Sequence, residues 1–380
     1  MTFVKKLVVF PTDPLLSYLK KGEIKNRYFN PGNYFDEIHI IDLSPRKLTL
    51  MEKRRAACLA GDKKLVIHFF KSTSKLDIFF IRNKILAEVK KINPSCIRAQ
   101  GIFHECYLAT FVSKKLNISL IISIHGNYTH HKYLVMLKED FFRGCLQWLF
   151  IFLFLKKIVK QTNEFIYVYK QAFGTTAAFN INKKHQHLIY NKVFFKQIKT
   201  EKRNEKFTLL YVGNFFKVKN QKFLIDVVEP LDVKLIFIGK GNNRANLIEY
   251  VHKKNLDNKI TFIEAVPNED LPKYYSQADC FVSGTYIQEI AIPVLEAMSC
   301  GLPIIHRKPY SDENKDFLFN FMYLVNFDEQ SFREAILKFK ENPLLVKKYS
   351  QKSLTAIEKV NGEKMEEKER KVYKTLLEHK

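Results

Sequence analysis

Two acidic residues, Glu289 and Glu296, stand seven positions apart in QEIAIPVLEAMSCGLPII, residues 288–305. On a helix that spacing puts both carboxylates near one face, two turns apart, with Gln288 beside the first. Oxygen acceptors so arranged can hold the hydroxyls of a sugar or a ribose. The residues between and around them, including Ile290, Ile292, Val294, Leu295 and Met298, are apolar nearly all round, which predicts a buried helix. Buried carboxylates need partners. Cys300-Gly301-Leu302-Pro303 then ends the helix, with Gly in the C-terminal turn and Pro soon after.

Other stretches offer cations and turns. In YVGNFFKVKNQ, 211–221, Gly213 ends a predicted strand and Lys219 precedes a helix that begins near Asn220. A glycine turn, a lysine and a helix N-terminus suit a phosphate, though an ordinary turn with a surface lysine reads the same way. The GxG turn of IGKGNNRANL, 238–247, lacks the third glycine of a dinucleotide fingerprint, so no nicotinamide site is expected. His125 closes another predicted strand, where a lone histidine is more often structural or solvated than functional. His130 and His131 have no carboxylate or cysteine at ligand spacing, so no metal is expected. Arg98 and Gly22 follow first-half strands and could face acceptor and donor phosphate respectively, with a plain surface loop as the competing reading.

Elements must position these groups. Short β-branched runs recur at 6–10, 37–43, 64–70, 95–99, 118–125 and 165–169, with room for helices between them. Such alternation predicts a parallel sheet covered on both faces. The all-polar KTEKRNEK, 199–206, interrupts the rhythm, and a second series follows at 207–213, 233–239, 260–264, 279–283 and 302–306. The expected organisation is therefore an N-terminal Rossmann-like domain over 1–198, a linker over 199–206, a second Rossmann-like domain over 207–355, and a helical tail over 356–380 that could cross back to the first domain. Two doubly wound domains would bind ligands at the carboxyl edges of their sheets.

The 380 residues, 46% hydrophobic and 14% aromatic, suffice for two cores and exclude a disordered chain. Lys and Arg total 63 against 39 Asp and Glu, and the formal charge of +24 draws phosphate-rich partners, unless it is only a lysine-rich background. No nucleic-acid recognition motif accompanies the charge, so nucleic acid is not an expected partner. Six scattered cysteines without a CxxC pair fit free thiols in a reducing, cytoplasmic compartment. The N-terminal apolar run is too short for a signal core and reads as a first strand. CLQWLFIFLFL, 145–155, falls short of the ~18 apolar residues of a spanning helix. It reads as a buried helix or as one lying in an anionic membrane interface with Lys156, Lys157 and Lys160 toward lipid phosphates.

The order YVGNFFKVKNQ, IGKGNN, NKITFIEAVPNEDLPKYYSQADCFVSGT and IPVLEAMSCGLPII resembles the nucleotide-sugar-binding half of the retaining glycosyltransferases of family 4, which have the GT-B fold. IRAQGIFHECYLA, IISIHGNY and LIYNKV extend the resemblance loosely into the first half. It implies an α/β GT-B architecture of two doubly wound domains facing a cleft. It also implies metal-independent transfer of a hexose, with retention, from a nucleoside-diphosphate sugar to a glycan or lipid-linked acceptor, as in polysaccharide synthesis, and no cofactor. Glu296 matches the glutamate on the donor ribose and Lys219 the lysine on the diphosphate. The glutamate on the transferred sugar falls on Gln288, with Glu289 one place along, and the diphosphate arginine falls on Asn214, with Lys217 nearby. Both departures leave the donor sugar and the rate in question. Ala265 and Val266 match the nucleobase turn, and His125 the first-domain histidine toward the sugar. Another enzyme of the same fold, such as an epimerase or phosphorylase, and a catalytically weak binding protein are the alternatives.

Overall fold

The apolar run Lys6–Phe10 forms strand β1, buried along nearly its whole length, as a strand covered on both faces of a parallel sheet must be. The computed structural model describes residues 4–21, 24–74, 76–128, 141–195, 205–264, 266–286, 290–309 and 316–378. The chain divides into two units, Met1–Tyr190 with Met365–Lys380, and Asn191–Lys364.

In the first unit β1 lies between β2 (Glu37–Asp42) and β4 (Cys96–Gln100), parallel to both. With β3 (Lys64–Phe69), β5 (Leu120–Ile124), β6 (Glu164–Tyr167) and β7 (Gln186–Leu188) the order is β3-β2-β1-β4-β5-β6-β7, every pairing parallel. The helices Asp77–Ile92 and His104–Leu116 stop at Asn93 and Asn117, whose φ of 49° and 51° is left-handed. Asparagine tolerates that conformation, so the chain turns directly into β4 and β5.

The second unit repeats the plan with β8 (Thr208–Val212), β9 (Lys234–Ile238), β10 (Ile260–Ile263), β11 (Cys280–Ser283), β12 (Ile304–Arg307) and β13 (Tyr323–Val325). Its order, β10-β9-β8-β11-β12-β13, is also all parallel. The order reverses between β8 and β11, so the crevice beyond their carboxyl ends is where such a sheet binds ligands. Leu209, Phe215, Phe237, Val282, Ile305 and Phe332 are among the buried side chains of its core.

The expected fold class, two doubly wound Rossmann-like α/β domains, is what the chain adopts. Three local expectations change. The three-residue strands β7 and β13 lie at the sheet edges and are too short to show a periodic pattern. The helix expected from residue 289 spans Ile292–Ser299, because Ala291 is extended (ψ 153°) and Pro293 fits only the first helical turn. Glu296 lies in this helix, whereas Glu289 falls outside the described residues. The 145–155 segment lies in the helix Phe141–Gln161 and is not simply buried: Phe150 and Leu155 are covered, whereas Leu146, Trp148, Leu149, Phe152 and Leu153 are exposed.

The helix Gly362–Glu378 ends the described chain, and from Met365 onward it belongs to the first unit. Tyr373 is fully buried there, edge-on to Phe35 with ring centres 4.9 Å apart.

Candidate functional site

Because the strands of the second unit are parallel, the segments after β8, β9, β10 and β11 and the end of β12 all emerge at one sheet edge. Two glycine turns are laid on each other there. Gly213 N–H donates to the Ile238 carbonyl at 3.0 Å, Phe215 N–H to that of Lys240 at 2.8 Å, and Asn243 N–H to that of Phe215 at 3.0 Å. A Cβ on Gly239 would stand 2.1 Å from the Gly213 oxygen, and one on Gly241 would stand 2.4 Å from the Phe215 oxygen. This close backbone approach accounts for the GxG spacing without a dinucleotide.

Asn214 follows Gly213, and its carbonyl accepts from the buried Gln221 side chain at 2.9 Å. Lys219 closes a single 3-10 turn, Lys217–Lys219, ahead of Asn220, whose φ of 53° is left-handed, and the helix Gln221–Val228. The half-buried Lys219 is thus held beside a helix start, the placement expected of a phosphate-binding cation. The Val218 carbonyl accepts from Tyr286 N–H at 3.1 Å and from the Thr285 hydroxyl at 3.4 Å, tying the lysine turn to the segment after β11.

That segment has a second anchor that the sequence did not single out. Arg307, 1% exposed at the end of β12, donates through Nε to the Thr285 carbonyl at 2.8 Å and through Nη2 to that of Tyr286 at 2.9 Å. Its guanidinium also lies over the Phe327 ring, 5.3 Å from the centroid. A buried arginine beneath two loop carbonyls fixes the chain just before Gln288 and Glu289. The adjacent His306 is buried, which, with the Arg307 charge beside it, pulls its pKa down to about 4.

Glu296 lies in the helix Ile292–Ser299 and is 3% exposed. It accepts from the hydroxyl of fully buried Tyr275 at 2.9 Å. Burial and the Glu296 charge raise the Tyr275 phenol well above its ordinary value, and the same two causes push the Cys300 thiol up to about 12. Tyr275 is thus the partner a buried carboxylate requires, and it orients one carboxylate oxygen. Val266 is half-buried beyond β10. Gln288, Glu289, Ala265 and Gly22 lie outside the described residues, as do His130 and His131 and positions 199–204 of the expected linker.

In the first unit His125 directly follows β5. Its carbonyl accepts from the Tyr169 hydroxyl. Thr175, 1% exposed, donates to the Gly126 carbonyl at 2.6 Å and accepts from Tyr128 N–H at 3.0 Å. Gly174 lets Asn127 approach, since a Cβ there would lie 2.3 Å from the Asn127 amide nitrogen. The His125 turn is therefore built by Tyr169, Gly174 and Thr175, which carry no motif of their own.

Arg98 requires a correction. It sits within β4, not after it, and is 6% exposed. It pairs with Glu369 and donates to Tyr373 Oη at 3.1 Å and Ser123 Oγ at 2.9 Å. Neutralised inside the fold by the C-terminal helix, it anchors that helix and does not present a cation to an acceptor. Among the described residues no group of three or more His, Cys, Asp or Glu side chains could hold a metal ion.

The comparisons with known proteins bear on the second unit most directly. Residues 193–355 match the family glycosyl transferases group 1. The matched stretch includes Gly213, Asn214, Lys219, Glu296 and Arg307. Spore coat protein SA of Bacillus subtilis is 37% identical over 109 residues, 26% of this chain and 29% of that protein. O-antigen chain mannosyltransferase B of Escherichia coli is 32% identical over 103 residues, 25% of this chain and 27% of that protein. The chain thus spans less than a third of the length of each. Among solved structures, Anabaena HepE in complex with UDP and glucose superposes over 98% of this chain and all of its own, with a TM-score of 0.73 at 12% identity. At that identity the likeness shows the fold alone, and shows it over nearly the whole chain, beyond residues 193–355.

Proposed function

We propose that this protein is a retaining glycosyltransferase that moves a hexose from a nucleoside-diphosphate sugar to a hydroxyl of a glycan or lipid-linked acceptor. The observation that carries the reading is Glu296, a buried carboxylate held by Tyr275 within the stretch that matches glycosyl transferases group 1. In this reading Glu296 accepts from the donor ribose hydroxyls, and Lys219 with the helix start behind it stabilises the leaving diphosphate. Gly213, Asn214 and Lys217 line the phosphate side, and the Ala265–Val266 turn meets the base. In the same reading Gln288 or Glu289, and His125, are assigned to the transferred sugar. Gly22 is assigned to the donor phosphate.

The chemistry separates charge: the sugar becomes cationic as the diphosphate gains negative charge, and fixed cations and backbone N–H groups lower that barrier without a reorganising solvent. Metal-independent transfer follows if Lys219 supplies the needed charge. Polysaccharide or envelope synthesis in the cytoplasm is the setting we assign, since HepE was solved with UDP and the Escherichia coli relative is named for O-antigen synthesis.

Titration calorimetry with UDP, GDP and ADP, then with their sugar conjugates, tests the donor site. One nucleotide should bind saturably, and both Glu296→Gln and Lys219→Met should weaken it about tenfold or more. Absence of binding by any nucleotide to folded protein would overturn the reading. Consumption of donor without transfer to any acceptor would instead favour an epimerase or phosphorylase. Proton NMR of the first-formed product checks retention at the anomeric carbon.

A further inference from the structure

Six of the fifteen large hydrophobic side chains exposed among the described residues lie in one helix, Phe141–Gln161, so its outer face is not ordinary surface. The inner face packs on the helix His104–Leu116, where Phe150 and Phe154 meet Tyr107. On the outer face Trp148, 56% exposed, stacks on Phe152, 71% exposed, with ring centres 5.5 Å apart. Leu149, Leu153, Lys156 and Lys160 follow one another at steps of four, three and four, and so share that face. The apolar patch continues onto the start of the helix Asp77–Ile92, where Phe79 lies 6.4 Å from Phe154 and the neighbouring Phe80 and Leu76 are exposed.

The polar features point to what covers this surface. The sequence of Phe141–Gln161 contains no aspartate or glutamate. Lys156, Lys157 and Lys160 are exposed at its C-terminal end. There the helix borders a surface cavity of 360 Å³ whose lining includes Lys156, Lys160, Phe165, Phe179 and His185. No helix among the described residues is long and apolar enough to cross a membrane. A face that is aromatic and aliphatic along most of its length, then cationic beside a cavity, matches the boundary between acyl chains and acidic headgroups.

We propose that this face docks on an anionic lipid bilayer, with Trp148, Leu149, Phe152 and Leu153 entering the headgroup boundary and the lysine end meeting lipid phosphates. The inference rests on this surface alone and stands whether or not the donor-site reading does.

Trp148 is the only tryptophan in the chain, so its fluorescence reports this face and nothing else. Vesicles of phosphatidylglycerol with phosphatidylcholine should shift its emission to the blue, and brominated acyl chains should quench it. Phosphatidylcholine alone should do so weakly. Combined Phe152→Ser and Leu153→Ser, exposed substitutions that leave the circular dichroism unchanged, should weaken partitioning about tenfold or more. Combined Lys156→Gln, Lys157→Gln and Lys160→Gln should do likewise and flatten the salt dependence. Vesicle binding with unchanged Trp148 emission would mean that net charge acts elsewhere and would overturn the proposal. So would an emission shift without lipid that tracks protein concentration together with dimer formation in sedimentation velocity, since a second copy would then own the face.

Discussion

Tyr275 and Arg307 support the candidate site without touching ligand in our reading, and each makes a separate prediction. Tyr275→Phe removes the donor to a buried carboxylate, so it should cost about 1 to 3 kcal/mol in urea unfolding and weaken nucleotide binding with little change in secondary structure. Arg307→Met leaves the Thr285 and Tyr286 carbonyls without their donor and should cost about 2 to 4 kcal/mol. It should also lower turnover of any transfer reaction more than it raises KM, because it frees the chain ahead of Gln288. His306 adds a pH dependence. Its folded pKa, about 4, lies below the ordinary 6.5, so the unfolded chain binds the proton more readily between those values. Stability should therefore fall as pH drops from about 6.5 to 4, by roughly 3 kcal/mol at most, and His306→Gln should flatten that slope in denaturant titrations.

The elements that position the proposed donor residues are turns more than helices. At Gly239 and Gly241, φ is 151° and 156°, and a side chain would collide with the backbone of the turn after β8. Gly239→Ala and Gly241→Ala should each destabilise the second unit by about 2 kcal/mol or more, read as a lower thermal midpoint, and should displace the turn that leads to Lys219. The helix Ile292–Ser299 shows why pattern reading misplaced its start. Apolar periodicity extends through Ile290 and Ala291, but the extended backbone of Ala291 and the ring of Pro293 set the boundary. Its C-terminal signal, Cys300-Gly301, does end it: Gly301 takes φ 74° and its N–H donates to the Met298 carbonyl.

For the molecule as a whole, the C-terminal helix is structural to the first unit. Glu369→Ala would leave the Arg98 charge buried and unneutralised, and should destabilise that unit by about 3 to 5 kcal/mol while sparing the second. Two separate transitions by calorimetry, with only one lowered, would check this. Loss of both together would show that the units unfold as one. The formal charge of +24 acts at this scale too, raising encounter rates with any anionic partner in a salt-dependent way. In our proposals specificity falls to smaller surfaces, the lysine turn at 217–219 and the lysine end of the helix Phe141–Gln161.

Strand and helix alternation and the glycine turns are readable along the chain, because each depends on spacing between near neighbours, whereas the roles proposed for Lys219 and Glu296 rest on a family resemblance. So is the two-domain plan, since buried parallel strands read as short continuous apolar runs. Tyr275 beside Glu296, Arg307 beneath Thr285 and Tyr286, and Glu369 on Arg98 join positions 21, 22 and 271 residues apart. No local periodicity encodes those pairings. They arise where desolvated charges and hydroxyls must find partners after the sheets have assembled, and folding alone turned Arg98 from a surface candidate into a buried anchor and opened one side of Phe141–Gln161 to solvent.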